Sequence, residues 1–293
     1  ICNSLFYTML KVLLVVAVVF VFRAVDASFS LSQANISAYL SAASCCGKER
    51  YENMVITGPA AGFEVKSIIY DQLTDIQGYI GILPSDKSIY VVYRGSSSTA
   101  NWIVDIDAFN TEYTSFEECN CNVHKGWYTA EQKVIEGVVS DVKSLMTTYP
   151  SYDVKVTGHS LGAALAQFTT MDLIKSGIPD VSMINFGQPR TGDKNYAAFV
   201  PSIMPADRTF RVVHDNDMVP HVPPKADSRG DDSYYHICTE VFEKDGTYTT
   251  CGTDDCEDPA CSAQYKFIQT SADEHCSYLD GFKICECGSA IEE

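Results

Sequence analysis

The segment Val154–Ala166 constrains the fold of this chain more than any other. Val154, Val156 and Thr157 read as a β-branched strand, Gly158-His159-Ser160-Leu161-Gly162 as a turn, and the small and apolar run from Ala163 to Leu173 as a helix. A strand that passes directly into a helix bends so sharply that the positions two residues either side of the serine have almost no room for a side chain. Glycine at 158 and 162 meets that demand. Such a turn lifts the Ser160 hydroxyl above the sheet, and the helix start behind it offers unpaired N–H groups and partial positive charge where an oxyanion would form. A five-residue glycine pattern arises by chance in many βα turns. Here the strand before it and the helix after it predict a nucleophile.

The N-terminal part of the chain bounds where such a nucleophile would work. Leu10 to Phe22 is almost continuously apolar, too short for a comfortable membrane span, and Val25-Asp26-Ala27 places small residues where a signal peptidase reads. Residues 1–27 are therefore expected to be a secretory signal, with an uncleaved anchor as the alternative, and residues 28–293 a single domain. Eleven of the twelve cysteines lie beyond Ala27, which suggests a disulfide framework formed in an oxidising compartment. The odd number leaves one thiol over, and Cys238, inside an apolar strand pattern, is the candidate. Asn35-Ile36-Ser37 is a glycosylation sequon. A formal charge of −17 argues against nucleic acid as a partner. The expected product is a secreted, extracellular monomer with no transmembrane anchor in its mature form.

Helical spacing over Phe29–Ala43, ended by Cys45-Cys46-Gly47, predicts an N-terminal helix stapled by cysteine to something distant. Strand patterns follow at Phe63–Tyr70, Asp75–Leu83 and Ser88–Tyr93, with Pro84–Lys87 as a hairpin turn, and a long helix is expected over Tyr128–Met146. Strands and helices then alternate. The pattern predicts an α/β fold with a mostly parallel central sheet and an antiparallel start.

A second informative stretch runs from Val92 to Asp105. A strand ends at Arg94-Gly95, and three serines lead into an apolar segment containing Trp102, Ile103 and Val104. In hydrolases with a serine elbow, one oxyanion donor is the N–H of the residue after the nucleophile and another comes from a loop after an earlier strand. Leu161 would be the first donor and Ser96 the second, and the apolar segment would be a short lid over the site that binds substrate and touches a lipid–water interface. The alternative makes Ser96 a turn residue and Trp102 a core anchor.

Five blocks in succession are similar to those of the filamentous-fungal triacylglycerol lipase family, the class 3 lipases: Tyr93–Ile103, His124–Trp127, Gly158–Ala166, Asn185–Gly192 and His214–Pro220. The resemblance implies an α/β-hydrolase fold, a Ser-Asp-His triad, no cofactor or metal, and hydrolysis of lipid esters. It places Ser160 on the nucleophile, Ser96 and Leu161 on the oxyanion positions, and Trp102 on the lid tryptophan.

Chain order in this fold runs Ser, then acid, then His. That excludes His124 and disfavours His159, whose ring is expected to point into the sheet beneath the elbow. Asp217 matches the family acid through Val219-Pro220, with Asp215 and Asp193 as alternatives. His275, in Asp273–Tyr278, matches the family's last block, with His236 as the alternative base. The family lid carries an aliphatic residue where this chain has Thr99 or Ala100. Compact fungal members also lack the acidic, cysteine-rich insert at Gly246–Gln264, which is expected to be a disulfide-bound surface excursion in preference to a zinc site on Cys251, Cys256 and Cys261 or a calcium loop. Acylglycerol hydrolysis is the expected activity. A phospholipase A1, a feruloyl-type esterase and an inactive secreted binding protein are the alternatives.

Overall fold

The computed structural model describes residues 28–96, 109–178, 180–225, 233–252 and 256–292. The expected signal segment 1–27 and the residues expected to form the lid, Trp102 and Ile103, lie outside the described residues.

The helix predicted at the N-terminus forms as α1 (Leu31–Ser44), opened by the Ser30 hydroxyl, which accepts the Gln33 N–H. One turn of helix, α2 (Lys48–Tyr51), precedes the antiparallel strands β1 (Glu64–Asp71), β2 (Ile76–Leu83) and β3 (Ser88–Tyr93). A short ribbon of β4 (Asn110–Glu112) and β5 (Asn122–His124) then leads into α3 (Lys125–Glu131) and α4 (Ile135–Thr148). These two helices replace the single one expected over Tyr128–Met146. The Lys133 and Val134 N–H groups bond back three residues, to Ala130 and Glu131, and tighten the chain into a turn.

From there β6 (Asp153–Gly158), α5 (Leu161–Lys175), β7 (Ser182–Phe186), α6 (Lys194–Ile203), β8 (Thr209–His214), β9 (Glu240–Lys244) and β10 (Thr247–Thr250) complete the sheet. Its order is β1-β2-β3-β6-β7-β8-β9-β10. The strands are parallel from β3 to β9 and antiparallel at both edges, in agreement with the mostly parallel sheet predicted.

The central strand β3 is buried on both faces, which is why it reads as an unbroken apolar run. Ile89, Val91 and Tyr93 pack with α3, α4 and α5, while Tyr90 and Val92 pack with α1 on the opposite side. Helix α5 lies between the sheet and α3 and is buried from Gly162 to Leu173. Its alanines and glycine let it lie that close.

One polar cluster is enclosed with it. Gln132, itself at the surface, donates through Nε2 to Glu131 Oε2 at 2.9 Å and to Asp172 Oδ2 at 2.8 Å, bridging two buried carboxyls. Thr169 donates to Glu131 and Ser115 to Asp172. Burial raises the pKa of both acids, and the charge of Asp172 raises that of Glu131 further. A carboxyl raised by folding binds its proton more tightly in the folded chain than in the unfolded one. Stability therefore falls as pH climbs from the unfolded value, about 4.5, toward the raised one. Glu131→Gln is expected to flatten that decline and to raise Tm at alkaline pH; an unchanged slope in calorimetry over a pH series would reject the assignment.

Among the described residues five disulfides brace the fold. Cys46–Cys287 joins the end of α1 to the C-terminal segment across 241 residues, the distant staple expected of it. Cys238 is not the free thiol: it pairs with Cys256, and among the described residues Cys45 is the unpaired cysteine. The strand pattern misleads there because the strand, β9, begins only at Glu240, after Thr239 at φ +68°, so Cys238 lies outside it. Cys45 packs against the Ser41 and Ile284 carbonyls, and burial pushes its thiol up to about 11. In protein from Ser28 onward, this half-buried thiol is expected to react with a thiol reagent more slowly in the native than in the unfolded protein; equal rates would contradict the shielding.

In the insert, Cys251 pairs with Cys261, so the sulfurs of the rival zinc reading are all in disulfides. The insert also sends Glu257 inward, where it accepts from Arg190 Nε and Nη2 at 2.8 and 2.9 Å. Among the described residues no helix is long and apolar enough to cross a membrane.

Candidate active site

Ser160 stands between β6 and α5 with φ +59° and ψ −127°, a strained conformation held by the elements on either side. The flanking glycines are required by contact. A methyl group at Gly158 would lie 2.3 Å from the Gly162 carbonyl, and one at Gly162 would lie 2.4 Å from the Tyr93 oxygen. The Ser160 N–H is tied to the Phe186 carbonyl at 3.0 Å, which links the elbow to the end of β7.

Leu161 opens α5, so its N–H is one of the first-turn donors that no helical carbonyl reaches. The chain leaving β3 passes close by. A methyl at Gly95 would sit 3.0 Å from the His159 carbonyl and 3.4 Å from Ser160 Cβ, and Ser96, half-buried, follows it. Leu161 thus adjoins the serine directly, and Ser96 follows a glycine that lies against it.

The acid and base candidates come from the far edge of the parallel strands. Asp217, in the turn after β8, is fully buried and receives His275 Nδ1 at 2.8 Å on Oδ2 and 3.0 Å on Oδ1. Tyr278 OH donates to Asp217 Oδ2, and the Val219 N–H donates to Oδ1 at 2.9 Å. Burial alone would raise the Asp217 pKa. The His275 ring, the Tyr278 hydroxyl and the Val219 N–H outweigh it and hold the carboxyl below its ordinary range. Burial and the Asp217 charge push Tyr278 well up, so its proton stays available to donate.

On the other side of the His275 ring two polar atoms are left over. His275 Nε2 and Ser160 Oγ are both buried and make no hydrogen bond to another group. Both residues border the end of β7: Ser160 is bonded to Phe186, and the His275 ring lies against Gly187. Gly187 has φ +55°, and a methyl there would come within 2.7 Å of His275 Cε1 and 2.9 Å of Asp217 Oδ2. Sequence reasoning passed over this glycine, although it lies inside the Asn185–Gly192 block. It also missed Tyr278, whose only signal is its place three residues after His275.

The rival residues are occupied elsewhere. Asp215 accepts from Tyr265 and pairs with Lys244 at 3.3 Å, on the outside. Asp193 caps α6, accepting the Tyr196 N–H at 2.8 Å and the Asn122 N–H at 2.7 Å. His236, outside any strand, gives its Nε2 hydrogen to the Pro220 carbonyl at 2.6 Å. His159 does not point into the sheet: its ring lies 4.3 Å, centroid to centroid, from that of His275.

A serine raised at a strand-to-helix elbow, with an Asp-His pair supplied by later loops of the same sheet, defines a protein of the α/β-hydrolase fold. The family description "Lipase (class 3)" matches residues 90–226, and the chain belongs to the class 3 lipase family. A lipase of Rhizomucor miehei is 37% identical over 203 residues, 67% of this chain and 53% of that protein. The secreted mono- and diacylglycerol lipase A of Penicillium cyclopium is 27% identical over 229 residues, 78% of this chain and 71% of that protein. Among solved structures, the Rhizomucor miehei lipase–propeptide complex aligns with a TM-score of 0.78 at 30% identity, covering 89% of this chain and 84% of that one. A triacylglycerol lipase whose catalytic centre is a serine-protease triad aligns with a TM-score of 0.79 at 28% identity, over 89% and 98%. The chain spans about half the length of the curated Rhizomucor and Rhizopus relatives it matches.

Proposed function

We propose that this protein is a secreted lipase that hydrolyses acylglycerol esters through an acyl-enzyme on Ser160. The observation that carries the reading is the buried Asp217–His275 pair at 2.8 Å, whose free Nε2 is sequestered beside the serine elbow. His275 takes the Ser160 proton as the oxygen attacks the ester carbonyl. The oxyanion is held by the N–H groups of Leu161 and Ser96. The alcohol leaves with the histidine proton; water then repeats the sequence on the acyl-enzyme, releasing the fatty acid and restoring Ser160. Asp217 keeps hydrogen on His275 Nδ1 and stabilises the imidazolium. No step calls on a cofactor.

Export is supported by the five disulfides and by the secreted Penicillium relative, with residues 1–27 as the signal segment. Trp102 and Ile103 are assigned to the lid and to substrate contact, meeting the lipid–water interface. Substrate class is tested with emulsified long-chain triacylglycerol, phospholipid vesicles, a dissolved short-chain ester and a feruloyl ester. The highest kcat/KM is expected on the triacylglycerol. A preference for phospholipid or feruloyl ester would replace the lipase reading by one of its alternatives, and no turnover on any of the four would overturn it.

A further inference from the structure

We infer that His159 is a positioning residue: its ring donates to the main chain of His275 and so ties the nucleophile's own turn to the loop that carries the base. The inference rests on the assignment of Ser160 and His275 made above. It concerns a neighbour that the reaction scheme does not use.

His159 Nε2 lies 2.8 Å from the His275 carbonyl, across 116 residues of sequence. A carbonyl only accepts, so the hydrogen sits on Nε2. The ring is 3% exposed, tilted 33° to the His275 ring, and meets Tyr278 edge-on at 5.8 Å. His159 therefore underlies a connected set in which His275 bonds Asp217 and Asp217 bonds Tyr278.

The need for such a tie is local. His275 sits in the single 3-10 turn Glu274–Cys276, between the Ser271–Asp217 bridge and the Cys276–Cys285 disulfide. One turn has too few internal bonds to hold a side chain to a fraction of an ångström. The carbonyl of the base residue itself is anchored from the elbow, so Ser160 and His275 move together. Because Ser160 is the next residue after His159, a displacement of the elbow is transmitted directly to the base. Burial, and then the neighbouring His275, push the His159 ring down to about 3, so it stays neutral and takes no share of the proton that His275 accepts.

The test compares His159→Met, which fills similar space without a donor, with His159→Gln, whose amide can reach the same carbonyl. Each is assayed on a dissolved short-chain ester for kcat, KM and the acidic limb of the pH profile, with Tm and the rate of labelling by a serine-directed phosphonate. A one-ångström misplacement of a catalytic group costs on the order of 100-fold. His159→Met is expected to lose about 10–100-fold in kcat and labelling rate, with KM within about twofold and a shifted acidic limb. His159→Gln is expected to recover most of the loss. A His159→Met protein within twofold of wild type, or a folded His159→Gln as impaired as His159→Met, would overturn the inference. If His159→Met does not fold, a His159→Gln protein with wild-type kcat and pH profile supports it, and an impaired one rejects it. Retained activity in Ser160→Ala or His275→Ala would instead overturn the site assignment itself.

Discussion

Ser160→Ala is expected to fold as the wild type does and to lose about 10⁶-fold in kcat toward ester substrates, the scale on which removal of a triad nucleophile acts. Folding should survive because the Ser160 hydroxyl makes no hydrogen bond that the structure depends on. The backbone at this position, φ +59°, is held by the Phe186 carbonyl and the packed glycines on either side, none of which alanine disturbs. The strain is the same for alanine as for serine. The measurement is kcat on a dissolved ester beside a thermal melt, with phosphonate labelling as an independent count of the nucleophile. Activity within an order of magnitude of wild type, in protein that melts normally, would place the chemistry on another residue.

Asp217→Asn is expected to lower kcat by about 10⁴-fold with KM nearly unchanged, because an amide presented to His275 Nδ1 favours the tautomer that cannot accept the serine proton. The geometry gives this change a long reach. Asp217 accepts from His275, Tyr278 and Val219 at once, and the amide has only one acceptor oxygen for them. Asp215→Asn, at the surface pair with Lys244, is expected to stay within about twofold of wild type. Should Asp215→Asn carry the large loss and Asp217→Asn the small one, the acid is misassigned. The two variants also differ in acid stability. The Asp217 carboxyl is held below its ordinary range, so its charged form contributes stability above the unfolded pKa, near 3.9, that is lost as pH falls through the lower folded value. Asp217→Asn should therefore start less stable at neutral pH and lose less on acidification.

Much of this is legible in the sequence. The bounds of β3 match those expected, and α1, β1 and β2 fall within two residues of theirs, because each is a local pattern of burial closed by a turn or cap. The elbow was legible for the same reason, since the requirement for glycine at 158 and 162 arises from backbone atoms a few residues away. The Asp217 and His275 candidates came from chain order and family likeness. The structure brings these two together and occupies Asp215, Asp193 and His236 elsewhere.

Local pattern in this sequence determined that a strand, a sharp serine turn and a buried helix would form, that the sheet would be mainly parallel, and that the cysteines would form a disulfide framework. Tertiary structure alone decided that Cys238 would meet Cys256 and leave Cys45 unpaired, that His159 would turn to His275, that the buried Glu131 and Asp172 would share the Gln132 amide, and that Gly187 would have to make room for the His275 ring. The reason is range. Backbone sterics and hydrophobic periodicity act over a turn or a strand, and the residues on either side carry their signature. A contact across 116 residues depends on which strands come to lie side by side, and no short window of sequence holds that information.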